Sequence, residues 1–279
     1  MPETKNILNK FKLNNDCAVI TGGAGFLGIQ HGEALIEAGC SIILLDINDD
    51  ALLQAKKHFI KKYNKEIMTY RCDITDESEI ISTQEQIKAK GMEPSILINN
   101  AAIDAKPEHG SIINNLRLEN FDISNWTKEI NTGLTGAFLC CKHFGNSMAN
   151  RNKGVILNIS SDLGLIAPNQ NLYKKSNLDY EKQDVKPVTY SVIKHGLIGL
   201  TKYMATYWAD KGVRCNALAP GGVDNQYSAE FLEKIGNLIP MGRMANIDEY
   251  KASVVYMCSD ASSYMNGATI SIDGGRTAW

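Results

Sequence analysis

Thr21-Gly22-Gly23-Ala24-Gly25-Phe26-Leu27-Gly28 follows the apolar run Cys17-Ala18-Val19-Ile20 and opens a segment of helical period. Glycines at such a strand-to-helix turn let the backbone bend tightly and approach a pyrophosphate, whose charge then sits at the positive end of the helix. A glycine turn alone can be a mere tight connection. Here a second apolar run, Ile42-Ile43-Leu44-Leu45, ends on Asp46, where a dinucleotide site places an acid. A carboxylate there accepts hydrogen bonds from the adenosine ribose and repels a 2′-phosphate. With Ile47 next, and no Lys or Arg inside the glycine turn, NAD is expected over NADP. The competing reading of Asp46 is an ordinary turn or N-cap aspartate. Asp73, in Arg71-Cys72-Asp73-Ile74, would reach the adenine side or cap the next helix.

Outward from this turn, short apolar runs alternate with longer stretches of helical period, the pattern of βαβ units on a parallel sheet. Strands are predicted at Cys17–Thr21, Ser41–Asp46, Ile67–Cys72, Ser95–Asn99, Val155–Ser160, Val213–Ala219 and Thr269–Ile272. Helices are predicted at Phe26–Ala38, Asp49–Tyr63, Glu77–Lys90, Ile123–Asn150, Val188–Ala209, Ala229–Ile235 and Asp248–Cys258. About seven strands threaded by helices make a doubly wound, Rossmann-type α/β sheet that binds ligands beyond its carboxyl edge. The 279 residues, 44% apolar, can bury one large core. No linker, repeat or low-complexity tract divides them, so residues 1–279 read as a single domain.

Formal charge is −2, with 29 basic and 31 acidic residues mixed along the chain. No basic stripe marks a nucleic-acid partner, and a small-molecule substrate is expected instead. The seven cysteines (Cys17, Cys40, Cys72, Cys140, Cys141, Cys215, Cys258) are odd in number, lack Cys-x-x-Cys spacing and mostly sit in apolar runs, as buried thiols of a reducing cytosol do. Met1 to Asp16 has no apolar core of a secretory signal, and no apolar run approaches the roughly 18 residues of a membrane span, so a cytoplasmic protein is expected. His31, His58, His109, His143 and His195 show no metal-ligand spacing. No metal is expected, and His31 and His195, on helices near the cofactor motifs, are read as packing residues.

Chemistry enters at Tyr190-Ser191-Val192-Ile193-Lys194, with Ser161 upstream. A tyrosine is a poor base at its ordinary pKa of about 10, but an ammonium on the same helix face stabilises the phenolate. The same spacing recurs at Tyr207-Trp208-Ala209-Asp210-Lys211, where the helix ends before Gly212 and a lysine interacts with the helix C-terminus. That copy is read as structural.

Taken in order, these residues resemble the short-chain dehydrogenase/reductase family over nearly the whole chain after about Cys17. The landmarks are the glycine turn, Asp73, Asn99-Asn100-Ala101, Asn131 in Ile130-Asn131-Thr132-Gly133, Asn158-Ile159-Ser160-Ser161, the Tyr190/Lys194 pair, Asn216-Ala217-Leu218-Ala219-Pro220-Gly221 and Ile272-Asp273-Gly274-Gly275. The resemblance implies Tyr190 as general acid/base and Lys194 as the group that lowers its pKa and holds the nicotinamide ribose. It implies Ser161 as a hydrogen-bond partner of the substrate oxygen, Asn131 as the holder of a proton-relaying water, and Asn99 as a cap on the central strands. Cofactor contacts are implied for Gly22, Gly25, Phe26, Leu27, Gly28, Asp46, Ile47, Asp73, Ile74, Asn100, Ala101, Ala102, Tyr190, Lys194, Pro220, Gly221 and Val223. Strand alternation allows only one of Ser160 and Ser161 to face the cofactor, and Ser160 is read as packing or bonding locally. Two long helices, matching Ile123–Asn150 and Val188–Ala209, pair across a dimer in the family, so a homodimer or homotetramer is expected.

Three features depart from the pattern. Compact, single-domain members place the second glycine where this chain has Phe26, and Gly25 matches the extended branch, but too little chain follows Pro220 for an extra substrate domain. The compact branch is therefore expected, with an altered phosphate turn. Asn225 stands at the family's usual Thr, and its amide can still hydrogen-bond a carboxamide. The segment 221–240 matches a substrate lid hinged at Gly221-Gly222. Finally, Ser161 and Tyr190 stand 29 positions apart, against about a dozen residues in compact members. The extra stretch, 167–186, carries Tyr173, Lys174, Lys175, Tyr180, Lys182 and Lys186. It reads either as a surface loop, since added loop length costs little entropy, or as a cationic, aromatic flap over the substrate.

The expected activity is NAD-dependent, reversible hydride transfer between nicotinamide and an alcohol or ketone. The flap suits a phosphorylated or nucleotide-linked sugar, in keeping with a similar insertion in a bacterial subgroup that makes surface-glycan and flagellin-modifying sugars. The alternatives are a sugar epimerase or dehydratase that retains its NAD, and a dinucleotide-binding regulatory protein without turnover.

Overall fold

The computed structural model describes residues 6–103, 116–176, 178–225 and 227–279. Among them, β1 (Cys17–Thr21), β2 (Ser41–Asp46), β3 (Met68–Arg71), β4 (Ile96–Asn99), β5 (Gly154–Ile159), β6 (Val213–Pro220) and β7 (Thr269–Ile272) form one sheet. Its order is β3-β2-β1-β4-β5-β6-β7, and every pairing is parallel. The progression turns back between β1 and β4, and a crevice opens beyond the carboxyl ends at such a switch point.

Side chains alternate between two cores, as a sheet covered on both faces requires. In β2, Ile43 and Leu45 enter one cluster while Ile42 and Leu44 enter the other. The first cluster is completed by Phe144 and Met148 from the helices after β4, and the second by Leu35, Phe59 and Val254. Strand positions follow the apolar runs to within a residue or so, with β3 shorter than predicted at both ends.

The helices are α1 (Phe26–Glu37), α2 (Asp49–Tyr63), α3 (Glu77–Ala89), α4 (Ile123–Ile130), α5 (Gly136–Cys140), α6 (Asn146–Asn150), α7 (Val188–Tyr207), α8 (Ala229–Gly236) and α9 (Lys251–Cys258). The predicted helix Ile123–Asn150 is thus not uniform. Two π turns, Asn131–Thr135 and Cys141–Gly145, interrupt it while its backbone stays helical. Apolar periodicity does not register one wide turn inside a continuous helix. Short 3₁₀ turns at Gln170–Tyr173 and Tyr180–Lys182 also went unread. All seven cysteines are buried thiols outside any disulfide. Burial raises Cys141 and Cys258 to about 12. Among the described residues no helix is long and apolar enough to cross a membrane.

One buried charge fastens the helices on the α1 face. Glu33, on α1 and 2% exposed, accepts from Lys62 at 2.6 Å and His58 at 2.7 Å on α2, and from Lys251 on α9. Burial alone would raise this carboxyl, but the bonds from Lys251, Lys62 and His58 outweigh it and hold the pKa at about 2. A depressed acid contributes stability above the ordinary carboxylate pKa of about 4.3, and that contribution is lost as pH falls toward the folded value. Glu33→Gln is accordingly expected to cost about 3 kcal/mol at pH 7, because it removes the charge that depresses this carboxyl's pKa and that Lys251, Lys62 and His58 bind. Urea unfolding at pH 7 and pH 3.5 checks this: the gap between variant and wild type should narrow at the lower pH, and an equal gap at both would refute the assignment.

Candidate active site

The crevice begins at the glycine turn. Gly22 has φ +58, and a Cβ there would stand 2.8 Å from the Ala101 backbone, so only glycine lets β1 turn against the end of β4. A Cβ on Gly28 would meet the Gly22 carbonyl at 2.3 Å, so the first turn of α1 lies directly against the loop. Asn100 locks that approach, donating from Nδ2 to the Thr21 and Gly22 carbonyls at 3.0 and 3.1 Å. Helices α2, α3, α4 and α8 start with a side-chain cap, whereas α1 starts at Gly25 without one. The first N–H groups of a helix have no intrahelical acceptor, and a pyrophosphate fits that cradle.

Asp46 closes the far side. Its Oδ2 accepts from Ala24 N at 3.2 Å and its Oδ1 from Asn48 N at 3.1 Å. The N-cap of α2 is Asn48, so Asp46 is a turn-binding carboxylate on the cavity wall rather than a helix cap. Asp73 is likewise not a cap, since Asp76 caps α3, and Asp73 Oδ1 accepts from Thr75 N and Oγ1 at 2.9 and 2.8 Å.

From the glycine turn a cavity of about 980 Å³ runs across the carboxyl ends of the strands to Tyr190 in the first turn of α7. Ser161, just past β5, lines the same cavity. Lys194 is buried, donates from Nζ to the Ile159 carbonyl at 2.8 Å, and holds its ammonium 5.7 Å from the Tyr190 ring centroid. Ser160 Oγ donates back to the Lys194 carbonyl at 2.7 Å. Its bond therefore runs between β5 and α7 and is not local, and Ser160 lines the cavity alongside Ser161. Asn131 lines the cavity from the first position of a π turn, its Oδ1 accepting from Thr135 Oγ1 at 3.3 Å. Asn99 lies beneath, donating from Nδ2 to Asn158 Oδ1 at 2.8 Å across β4 and β5.

The family is decided by the chain as a whole: residues 25–277 match a family model described as enoyl-(acyl carrier protein) reductase. The protein belongs to the short-chain dehydrogenase/reductase family. It is 28% identical over 276 residues to a galactitol 2-dehydrogenase of Rhizobium johnstonii, covering 97% of this chain and 98% of the relative. A gluconate 5-dehydrogenase from Burkholderia cenocepacia, solved with NADP and tartrate, superposes with a TM-score of 0.83 at 25% identity, covering 98% of this chain and 100% of that one. A short-chain dehydrogenase from Leptospira borgpetersenii with bound NAD+ gives a TM-score of 0.81 at 26% identity, covering 98% and 96%. Near-complete coverage on both sides puts this chain in the compact branch, despite the extended-type spacing at Gly25. Like its family, it is an oxidoreductase that transfers a hydride between a nicotinamide dinucleotide and an alcohol or ketone.

Of the residues expected to touch cofactor or substrate in this dehydrogenase, all but two line the cavity. Gly28 instead packs α1 onto the glycine loop, and Lys194 sits behind the wall on Ile159. Asn225 is on the wall. The histidines fall elsewhere: burial lowers the pKa of His31 to about 4, His195 is exposed, and His109 lies outside the described residues.

Sequence reasoning passed over Asp162 and Arg276. Both are buried cavity-wall residues joined at 2.7 Å, from the turn after β5 and the C-terminal segment. Asp162 Oδ1 also accepts from Ser161 Oγ at 2.7 Å and Leu163 N at 2.8 Å. The Ser161 hydroxyl is thereby held by its neighbour at the cavity wall. The signal lay in plain view, as an acid beside Ser161 and an arginine after Gly274-Gly275, but 114 positions separate the partners.

The insertion and the lid segment meet; each contains one position outside the described residues, Asn177 and Gln226. Leu172 joins Ile235, Ile239 and Met244 in one cluster, with Tyr173, Phe231 and Leu232 packed on it. The Tyr173 and Tyr227 rings stand 6.0 and 4.8 Å from Phe231, and all three line the cavity. The insertion's lysines depart from expectation. Lys175 pairs with Asp184 at 2.8 Å and Lys182 with Asp179 at 3.0 Å, so of the four lysines in the stretch only Lys186 lines the cavity.

Arg276→Met should cost about 3 kcal/mol, since it leaves Asp162 buried without its partner. Thermal and urea unfolding of the single and double variants, with Asp162→Leu as the second change, would show positive coupling. Strictly additive losses would show that the pair is not an energetic unit.

Proposed function

We propose that this enzyme oxidises and reduces a secondary hydroxyl of a polyhydroxylated, sugar-like substrate with NAD, using Tyr190 as acid/base. One observation carries the reading: Tyr190 and Ser161 share a single cavity with the glycine turn and Asp46. When bound, the nicotinamide dinucleotide accepts or supplies the hydride at C4 of its ring. In oxidation the Tyr190 phenolate takes the substrate hydroxyl proton; in reduction its phenol returns one to the carbonyl oxygen. Lys194 favours the phenolate by its charge, and Ser161 orients the reacting oxygen. Asn131, presented by the π turn, would hold the water through which the proton exchanges with solvent.

Asp46 supports NAD, because a carboxylate at the end of β2 would repel a 2′-phosphate. The cavity wall supports a polyol: Asn225, Asp162, Arg276 and Lys128 offer donors and acceptors to successive hydroxyls, and two of them are cations suited to an acidic or phosphorylated sugar. The relatives named for galactitol and gluconate act on substrates of this class. A role in carbohydrate biosynthesis, a cytoplasmic location and a homo-oligomer go with this reading. For the oligomer, exposed Phe138, Tyr203 and Tyr207 on α5 and α7 offer an apolar face.

A panel of galactitol, D-threitol, gluconate, sugar phosphates and nucleotide sugars, assayed at 340 nm with NAD and NADP, tests the substrate class. Turnover of ketoacyl esters alone would overturn it. On the best substrate, Tyr190→Phe should lower kcat/KM by about 10²–10⁴-fold with cofactor binding retained. Near-wild-type turnover would remove the acid/base assignment. Asp46→Ala should reduce the NAD-to-NADP ratio of kcat/KM by about tenfold or more, the loss of one charge-repelling contact; a wild type that already prefers NADP would refute the role given to Asp46.

A further inference from the structure

The insertion is clasped at its base. Lys186 N donates to Gln170 Oε1 at 2.9 Å, and Gln170 Nε2 donates to the Lys186 carbonyl at 3.1 Å. A primary amide thereby satisfies both backbone groups of Lys186, as a neighbouring strand would. Pro187 follows, buried, and its ring fixes the backbone at the start of α7. Held from both sides, Lys186 lays its ammonium over the face of Tyr190, 3.9 Å from the ring centroid, nearer than the 5.7 Å of Lys194.

We propose that Lys186 is a positioning residue of the acid/base centre, a second cation that the insertion delivers to Tyr190. The inference rests on the assignment of Tyr190 as acid/base. A cation over a phenol ring is attracted to its face and is attracted more strongly once the ring carries a negative charge, so it favours the phenolate and fixes the ring plane. Among the described residues, the charged side chains that line the cavity beside it are cations or are matched by one. Lys194 approaches from Tyr190's own helix, Lys128 lines the cavity from α4, and Asp162 is matched by Arg276. A compact member with about a dozen residues between serine and tyrosine has no chain from which to build this clasp. The long insertion therefore acts on the chemical step as well as on the cavity's shape.

The test reads the tyrosine directly and needs no substrate. In protein labelled with ¹³C at tyrosine Cζ, the Tyr190 resonance is assigned by its loss in Tyr190→Phe and titrated in wild type, Lys186→Met, Lys186→Arg and Gln170→Ala. The apparent pKa of Tyr190 should rise by about one unit in Lys186→Met, the low end of the effect of a charge at this distance. It should stay near wild type in Lys186→Arg and fall between the two in Gln170→Ala, which cuts the clasp but keeps the cation. Should Lys186→Met fold poorly by near-ultraviolet circular dichroism, the Gln170→Ala shift decides alone. An unmoved Tyr190 titration in Lys186→Met or, failing that variant, in Gln170→Ala overturns the proposal. A Lys186→Met that raises KM for the best substrate while leaving the titration unchanged does so too, by making Lys186 a substrate contact. Full activity in Tyr190→Phe is a separate result that removes the acid/base assignment itself.

Discussion

Two reciprocal hydrogen bonds between α7 and the end of β5 fix the site. Lys194 Nζ donates to the carbonyl of Ile159, and Ser160 Oγ donates to the carbonyl of Lys194. One bond anchors the tip of the lysine and the other its backbone, so α7 can neither slide along the sheet nor turn about its axis without breaking a buried bond. Tyr190 lies one turn before Lys194, and Ser161 lies one residue after Ser160. The distance between Tyr190 and Ser161 is thus set by the sheet rather than by a loop. The same constraint holds the Lys194 ammonium 5.7 Å from the Tyr190 ring centroid.

The sheet supplies the rest of the platform by the same economy of buried polar bonds. Asn100 holds the glycine turn through two carbonyls, while Asn99 crosses to Asn158, which donates to Thr201 of α7 at 2.8 Å. Adjacent residues with the same side chain thereby serve opposite faces, one the cofactor crevice and one the core. Buried amide bonds of this kind resist displacement because each lost bond leaves a further desolvated group behind, and Asn99 Oδ1 already lacks a partner.

Most of this framework was legible in the sequence, because apolar runs, glycines at a strand end and residues at fixed spacing are local signals. β1, β2, β7 and α2 fall at their predicted residues, and Tyr190, Ser161 and Asn131 reach a common cavity. What escaped was of longer range or finer grain. The π turn under Asn131 adds one residue to a turn without changing the apolar stripe. The Asp162–Arg276 pair joins residues that only the completed sheet brings together. In the insertion, counting lysines ignored the nearby aspartates: Asp179 and Asp184 pair with Lys182 and Lys175.

The insertion is sustained by a small set of contacts. Lengthening a loop by some fifteen residues costs only about 1 kcal/mol of closure entropy, so almost any compensating contact sustains it. Here the compensation is shared with the lid segment: Leu172 and Tyr173 pack on Phe231, Ile235 and Ile239, while Arg117 stacks its guanidinium 4.0 Å over the Tyr180 ring and donates to the Tyr180 carbonyl at 2.8 Å. The lid's own base is closed by Ala245, whose N–H donates to Gly222 and whose carbonyl accepts from Asp224, both at 3.0 Å. With four buried residues at its centre, this cluster has little apolar surface to lose on opening. That cluster is separate from the two cores that pack on the sheet. The insertion thus reaches the cavity at two places, through Tyr173 in this cluster and through Lys186 over the ring of Tyr190.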